Sequence, residues 1–133
     1  MNRVGALAGE KYIRLTTFKK DGTAVATPVW VVSDDGRRLL VLTGPDTWKV
    51  KRLRRDPRVV VAASDYRGRV RGESVEGVGR LLDSPQGTLV EPLLDRKYGL
   101  MRRLLGVFNR LVRVVTRRQR EPAAYIEIVD RVD

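Results

Sequence analysis

The sequence predicts a mainly β domain with some α, a barrel of about six strands that carries helices ahead of its last strand. Three observations predict it: two Asp-Gly turns set between β-branched runs, a short basic helix after the third run, and a return to strand pattern at the far end.

Tyr12–Phe18 (YIRLTTF) reads as the first strand, closed by the turn Lys19-Lys20-Asp21-Gly22. Thr23–Ser33 is a second, longer strand, and Asp34-Asp35-Gly36 signals a second hairpin into Arg37–Thr43, so the first three strands read as a meander. Pro28 has no N–H to donate, which points to an edge position, a bulge, or a neighbour other than a strand. A short helix over Thr47–Arg55 stops before Asp56-Pro57. Arg58–Ser64 (RVVVAAS) has the unbroken apolar run of a strand buried on both faces. Asp65–Gly72 is a polar, basic loop, and Glu73–Leu82 is a strand whose Gly77 and Gly79 predict a bend or a close approach. A helical region opens at Ser84-Pro85 and is divided by Gly99. Beyond it, Met101, Leu104, Leu105, Phe108, Leu111, Val112 and Val115 share one helical face of Leu100–Arg118, with the arginines mostly off that stripe. Glu121-Pro122 breaks the helix, and Ala123–Val132 supplies the last strand.

Length and composition bound the function. At 133 residues, residues 1–133 form a single domain, with 42% hydrophobic and 32% charged residues, a globular balance. The chain has no cysteine and no histidine. That composition excludes disulfides, thiolate nucleophiles, Ser-His-Asp catalysis and nearly all zinc, copper or haem ligation, so chemistry here falls to a bound cofactor. A formal net charge of +11 calls for an anionic partner: nucleic acid, an acidic membrane surface or a polyanionic cofactor. No zinc-finger spacing, helix-turn-helix or aromatic RNA-binding signature is present, which disfavours nucleic acid. The N-terminus has no apolar signal core, and no apolar run approaches the roughly 20 residues of a membrane span, so a cytoplasmic location is expected. The basic, apolar-striped helix Leu100–Arg118 either packs on the barrel or makes peripheral contact with an anionic membrane.

Leu39–Leu53 (LLVLTGPDTWKVKRL) concentrates the chemistry. An apolar strand runs into Thr43-Gly44-Pro45-Asp46-Thr47, and a helix opens with Trp48, Lys49, Lys51 and Arg52. Backbone N–H groups of the turn, the positive end of the helix dipole and adjacent cations together make a seat for phosphate. Tyr12, Tyr66, Tyr98 and Tyr125 are possible proton donors, each with a packing role as the plainer alternative. No catalytic side chain stands out. Glu73 and Glu76 read as surface or interface residues.

The hairpin FKKDGTAVATPVWVV, followed by LLVLTGPDTWKVKRLRRDPRVVVAASD and ESVEGVGRLL, resembles the pyridoxamine 5′-phosphate oxidase-like split β-barrel family. More narrowly, it resembles the branch of deazaflavin-dependent oxidoreductases that use coenzyme F-420. The resemblance implies a homodimer with cofactor sites at the subunit interface and hydride transfer between the cofactor and a small hydrophobic organic acceptor. It makes Lys49 and Lys51 the phosphate ligands, with Thr47 and Arg52 beside them and Thr43 and Gly44 offering backbone or hydroxyl contacts. Thr27, Pro28, Val29 and Trp30 would border the ring. Trp48 would pack into the core or cover the cofactor. FMN-binding oxidase members often have Ser-Arg-Lys at the phosphate turn where this chain has Thr47-Trp48-Lys49, and pyridoxamine phosphate oxidation is disfavoured. Surplus cations such as Arg54, Arg55, Arg58, Arg67, Arg69 and Arg71 favour the polyanionic F-420 over FMN, the alternative cofactor. Two other functions stay open: a cofactor-sequestering barrel with little turnover, and a basic module for nucleic acid or membrane.

Overall fold

A computed structural model describes residues 3–43, 48–82, 89–99, 104 and 124–131. Its strands are β1 (Tyr12–Phe18), β2 (Ala24–Trp30), β3 (Leu39–Thr43), β4 (Arg58–Ser64), β5 (Val75–Leu82) and β6 (Ala124–Asp130). Helix α1 spans Trp48–Arg55, a second helix, α2, spans residues 90–99, and a 3-10 turn lies at Gly5–Leu7. All strand pairs are antiparallel, in the order β2-β1-β4-β5-β6-β3, and the sheet curls into a half-barrel. The expected helix Leu100–Arg118 lies outside the described residues, except for Leu104, which is helical and exposed. No helix among the described residues is long and apolar enough to cross a membrane.

Both Asp-Gly turns form as their residues dictate. The Asp21 carboxylate accepts the Thr23 N–H at 2.9 Å, and Asp35 accepts those of Arg37 and Arg38 at 2.8 and 3.0 Å. Gly22 and Gly36 take the left-handed φ values of 88° and 72° that such turns require. The first turn makes the β1–β2 hairpin, with Leu15 opposite Thr27 and Arg14 opposite Pro28.

The second turn does not complete the expected meander. β2 and β3 are the two edges of the sheet, joined only by a bridge between Val32 and Leu40. β2 also ends at Trp30 rather than Ser33, because side chains of α2 take the next residue's backbone groups. The Val31 N–H donates to the Tyr98 hydroxyl at 3.1 Å, and its carbonyl accepts from Lys97 Nζ at 2.7 Å. With both groups satisfied, Val31 has nothing left for a ladder. Pro28 sits on an edge strand, the first of the positions expected for it.

The inner face of the barrel is filled by Ile13, Leu15, Val31, Leu39, Val41, Val59, Val61, Ile126 and Ile128, with Leu53 of α1, Leu7 of the 3-10 turn and Val4 just before it closing onto them. A second cluster forms where α2 lays Val90, Leu94 and Tyr98 against Val32 and Leu40. Gly77 and Gly79 fulfil the close approach expected of them. A methyl at Gly77 would stand 2.7 Å from the Val129 carbonyl oxygen, and one at Gly79 would stand 3.0 Å from Leu53. Backbone cannot yield as a side-chain tip does, so Gly77→Ala is expected to destabilise the fold by about 1–3 kcal/mol. A urea midpoint unchanged from wild type would contradict that expectation.

Candidate functional site

Helix α1 packs Val50 and Leu53 inward, both buried. Residues at i, i+3, i+4 and i+7 share a helical face. Trp48, Lys51, Arg52 and Arg55 are therefore aligned, and with Lys19 and Lys20 from the β1–β2 turn they line a cleft of about 560 Å³. Five cations thus meet one indole. Trp48 is 67% exposed, so it is not a core residue, and Lys51 Nζ lies 4.7 Å from its ring centroid, a cation–π contact. Arg55 also donates to the Phe18 carbonyl, tying the helix to the end of β1. Among the described residues none of the five cations forms a salt bridge; Asp21, in the turn that carries Lys19 and Lys20, has its carboxyl held below its usual range by hydrogen bonds from Thr23 and, more weakly, by the Lys19 charge. Lys49 does not line the cleft. It is half-buried, and that burial together with the Arg52 charge lowers its pKa from the ordinary value.

A second pocket, of about 360 Å³, is lined by Arg14, Ala26, Thr27, Pro28, Arg67, Gly68 and Arg69. Its far wall is the β4–β5 loop, wound around Asp65: that carboxylate accepts the N–H groups of Arg67 and Arg69, both at 2.9 Å. These bonds and the two neighbouring guanidinium charges hold the Asp65 carboxyl below its usual range.

The sequence-predicted site residues are divided between these places. Trp48, Lys51 and Arg52 reach the first cleft; Thr27 and Pro28 reach the second. Strand alternation separates the Thr27–Trp30 run, since successive residues face opposite sides. Val29 packs on the inner core, while Trp30 stacks on Tyr98 with ring centroids 4.4 Å apart and planes 4° from parallel. Thr43 ends β3, half-buried, and Gly44 and Thr47 lie outside the described residues. Lys19 and Lys20 line the cleft because the tertiary fold sets their turn beside α1, which no local pattern signals, whereas the i, i+3, i+4, i+7 spacing places Arg55 there.

The tyrosines are largely occupied in structure. Tyr125 donates to Glu91 at 2.9 Å, and Tyr66 is an exposed partner of Arg67. Tyr12 stands opposite Trp30 in the β1–β2 ladder. The buried Tyr98 hydroxyl donates toward the Lys11 and Val31 carbonyls at 2.6 and 2.9 Å, and burial pushes its pKa from 10.0 up to about 12. The folded state therefore keeps the Tyr98 proton that the unfolded chain loses first. This stabilisation is complete below pH 10 and should be lost between pH 10 and about 12, to the extent of ~2–3 kcal/mol. Denaturant melts of wild type and Tyr98→Phe across that window should show the steep fall only in wild type; parallel curves would contradict it.

The sequence profile of the pyridoxamine 5′-phosphate oxidase family matches residues 4–100. No curated protein matches the sequence significantly. Among solved structures, an F420 reductase superposes with a TM-score of 0.57 at 18% identity, over 99% of this chain and 96% of its own. A FAD-binding protein from Mesorhizobium loti does so at 0.60 and 18%, over 95% and 83%. HutZ, the haem storage protein of Vibrio cholerae, does so at 0.65 and 13%, over 94% and 84%. A protein of unknown function from Agrobacterium tumefaciens is about twice as long: the match, with a TM-score of 0.64 and 14% identity, spans 92% of this chain but 49% of that one. At these identities the likeness to solved structures is one of fold, the split barrel. The profile match covers well over half of the sequence, and the chain belongs to the pyridoxamine 5′-phosphate oxidase family.

Proposed function

We propose that the chain is a coenzyme F-420-dependent oxidoreductase that holds the anionic end of its cofactor in the α1 cleft and passes hydride to a small hydrophobic acceptor. The observation that carries this reading is the cleft itself, where Lys19, Lys20, Lys51, Arg52 and Arg55 surround one cavity with no salt-bridged carboxylate among the described residues. Uncompensated cations repel one another, so an anion that enters relieves that cost as well as gaining its own contacts. A phosphate fits this donor set, and a cofactor with further carboxylates uses more of it than FMN does. Lys51 and Arg52 are the principal ligands, Lys19 and Lys20 close the opposite wall, and exposed Trp48 offers an indole face. Lys49 sets the local potential from a half-buried position.

When bound, the deazaflavin supplies the hydride; the protein orients it, keeps water away and neutralises its anionic end. The edge strands β2 and β3 flank the opening of the half-barrel, which favours them as the walls beside the ring. A homodimer, common in this family, and a cytoplasmic location belong to the same reading. Incubating the protein with reduced F-420 and a panel of quinones and enones tests it: acceptor-dependent reoxidation is expected. Binding without reoxidation across the panel would favour a sequestering protein, a reading the haem-storage neighbour keeps open.

A further inference from the structure

The pocket between β2 and the β4–β5 loop shares no residue with the α1 cleft, although β2 also forms a wall of the proposed ring site. We infer that it is a second anion seat, built for a small organic carboxylate with an apolar body.

Three arginines from two elements line it: Arg14 from β1, and Arg67 and Arg69 from the loop. None of them is in a salt bridge among the described residues. The nearest carboxylate, Asp65, is committed to the loop's backbone N–H groups. Arg67 Nε donates to the Tyr66 hydroxyl at 2.9 Å, which restrains that side chain.

The loop is held in place before any ligand arrives. Asp65 N–H donates to the Arg69 carbonyl at 3.1 Å, Gly68 N–H donates to the Asp65 carbonyl at 3.0 Å, and Ser64 bridges to Val70. Gly68 adopts φ 86° against Pro28, where a methyl would meet the proline ring at 3.4 Å. Arg67 and Arg69 are therefore presented on a fixed turn rather than on a loose segment, which lowers the entropy lost on binding.

The remaining wall sets the ligand class. Pro28 and Ala26 present an apolar surface beside the guanidinium groups. A planar carboxylate matches the arginine fork in two parallel bonds, and a ring attached to it would lie on Pro28. A bare phosphate would leave that apolar wall unused.

The test is a low-salt titration of the ¹⁵N-labelled protein with benzoate, and separately with inorganic phosphate, followed by amide chemical shifts. Benzoate should give saturable shifts centred on Ala26, Gly68 and Arg69. Arg14→Gln and Arg69→Gln, both at exposed positions, should each weaken that binding at least tenfold while the rest of the spectrum keeps its wild-type dispersion. Lys51→Ala should leave it unchanged, separating this seat from the cofactor cleft. Absence of saturable shifts at the loop, equal binding in the arginine variants, or phosphate binding there as tightly as benzoate would overturn the assignment.

Discussion

Glu127→Ala is expected to cost the fold about 2 kcal/mol, a large share of the stability of a domain this size. Glu127 is 7% exposed, on β6, and joins two arginines: Arg38 Nη1 at 2.5 Å and Arg80 Nη2 at 2.9 Å. Arg38 also bonds Asp34 through Nε and Nη2, at 3.0 and 2.6 Å. This cluster ties the Asp34–Arg38 turn to β6, while Arg80 sits directly opposite Glu127 on β5. Removing the carboxylate leaves Arg38 held by Asp34 alone and Arg80 to solvent, so the cost is that of the lost charge-assisted bonds and the gap left at a buried position. Glu127→Gln keeps a hydrogen-bond acceptor and should cost less. In urea melts, Glu127→Ala should lower the midpoint at constant slope. A shift below roughly 0.5 kcal/mol, the range of an ordinary surface substitution, would contradict this account.

The second large effect concerns binding. Replacing Lys51 and Arg52 together with alanine should weaken F-420 binding about 100-fold, or ~2.7 kcal/mol. Charge-assisted hydrogen bonds of about 1.5–3 kcal/mol each set that scale. The same double variant should be no less stable than wild type, since both side chains belong to a cluster of like charges on the outer face of α1. Lys49→Ala is the informative comparison, because Lys49 does not line the cleft. It should cost far less affinity than the double variant, and its salt dependence of binding should stay close to wild type. An equal loss from Lys49→Ala alone would return it to the place that the family resemblance gave it.

Much of the fold was legible in local chemistry. β1 and β4 have the bounds their apolar patterns predict, and the Asp-Gly turns lie where Asp21 and Asp35 can hold the backbone. The sheet order was not legible. Nothing local distinguishes a β2–β3 hairpin from two edges that touch at Val32 and Leu40, since the deciding groups, Lys97 and Tyr98, come from more than sixty residues away. The site followed the same rule. Trp48, Lys51 and Arg52 were readable from helical spacing, whereas Lys19 and Lys20 entered only through the packing of α1 against the hairpin. In the sequence the Thr27–Trp30 run forms one unit, but strand alternation and the Tyr98 stack divide it.

Equilibrium titration of the protein with F-420 and FMN in parallel, at low salt, tests the central claim most directly. The account predicts saturable binding of F-420 at one site per chain, at least tenfold tighter than FMN and weakened by added salt. Failure to bind either cofactor, with tight binding to DNA or anionic vesicles under the same conditions, would contradict it.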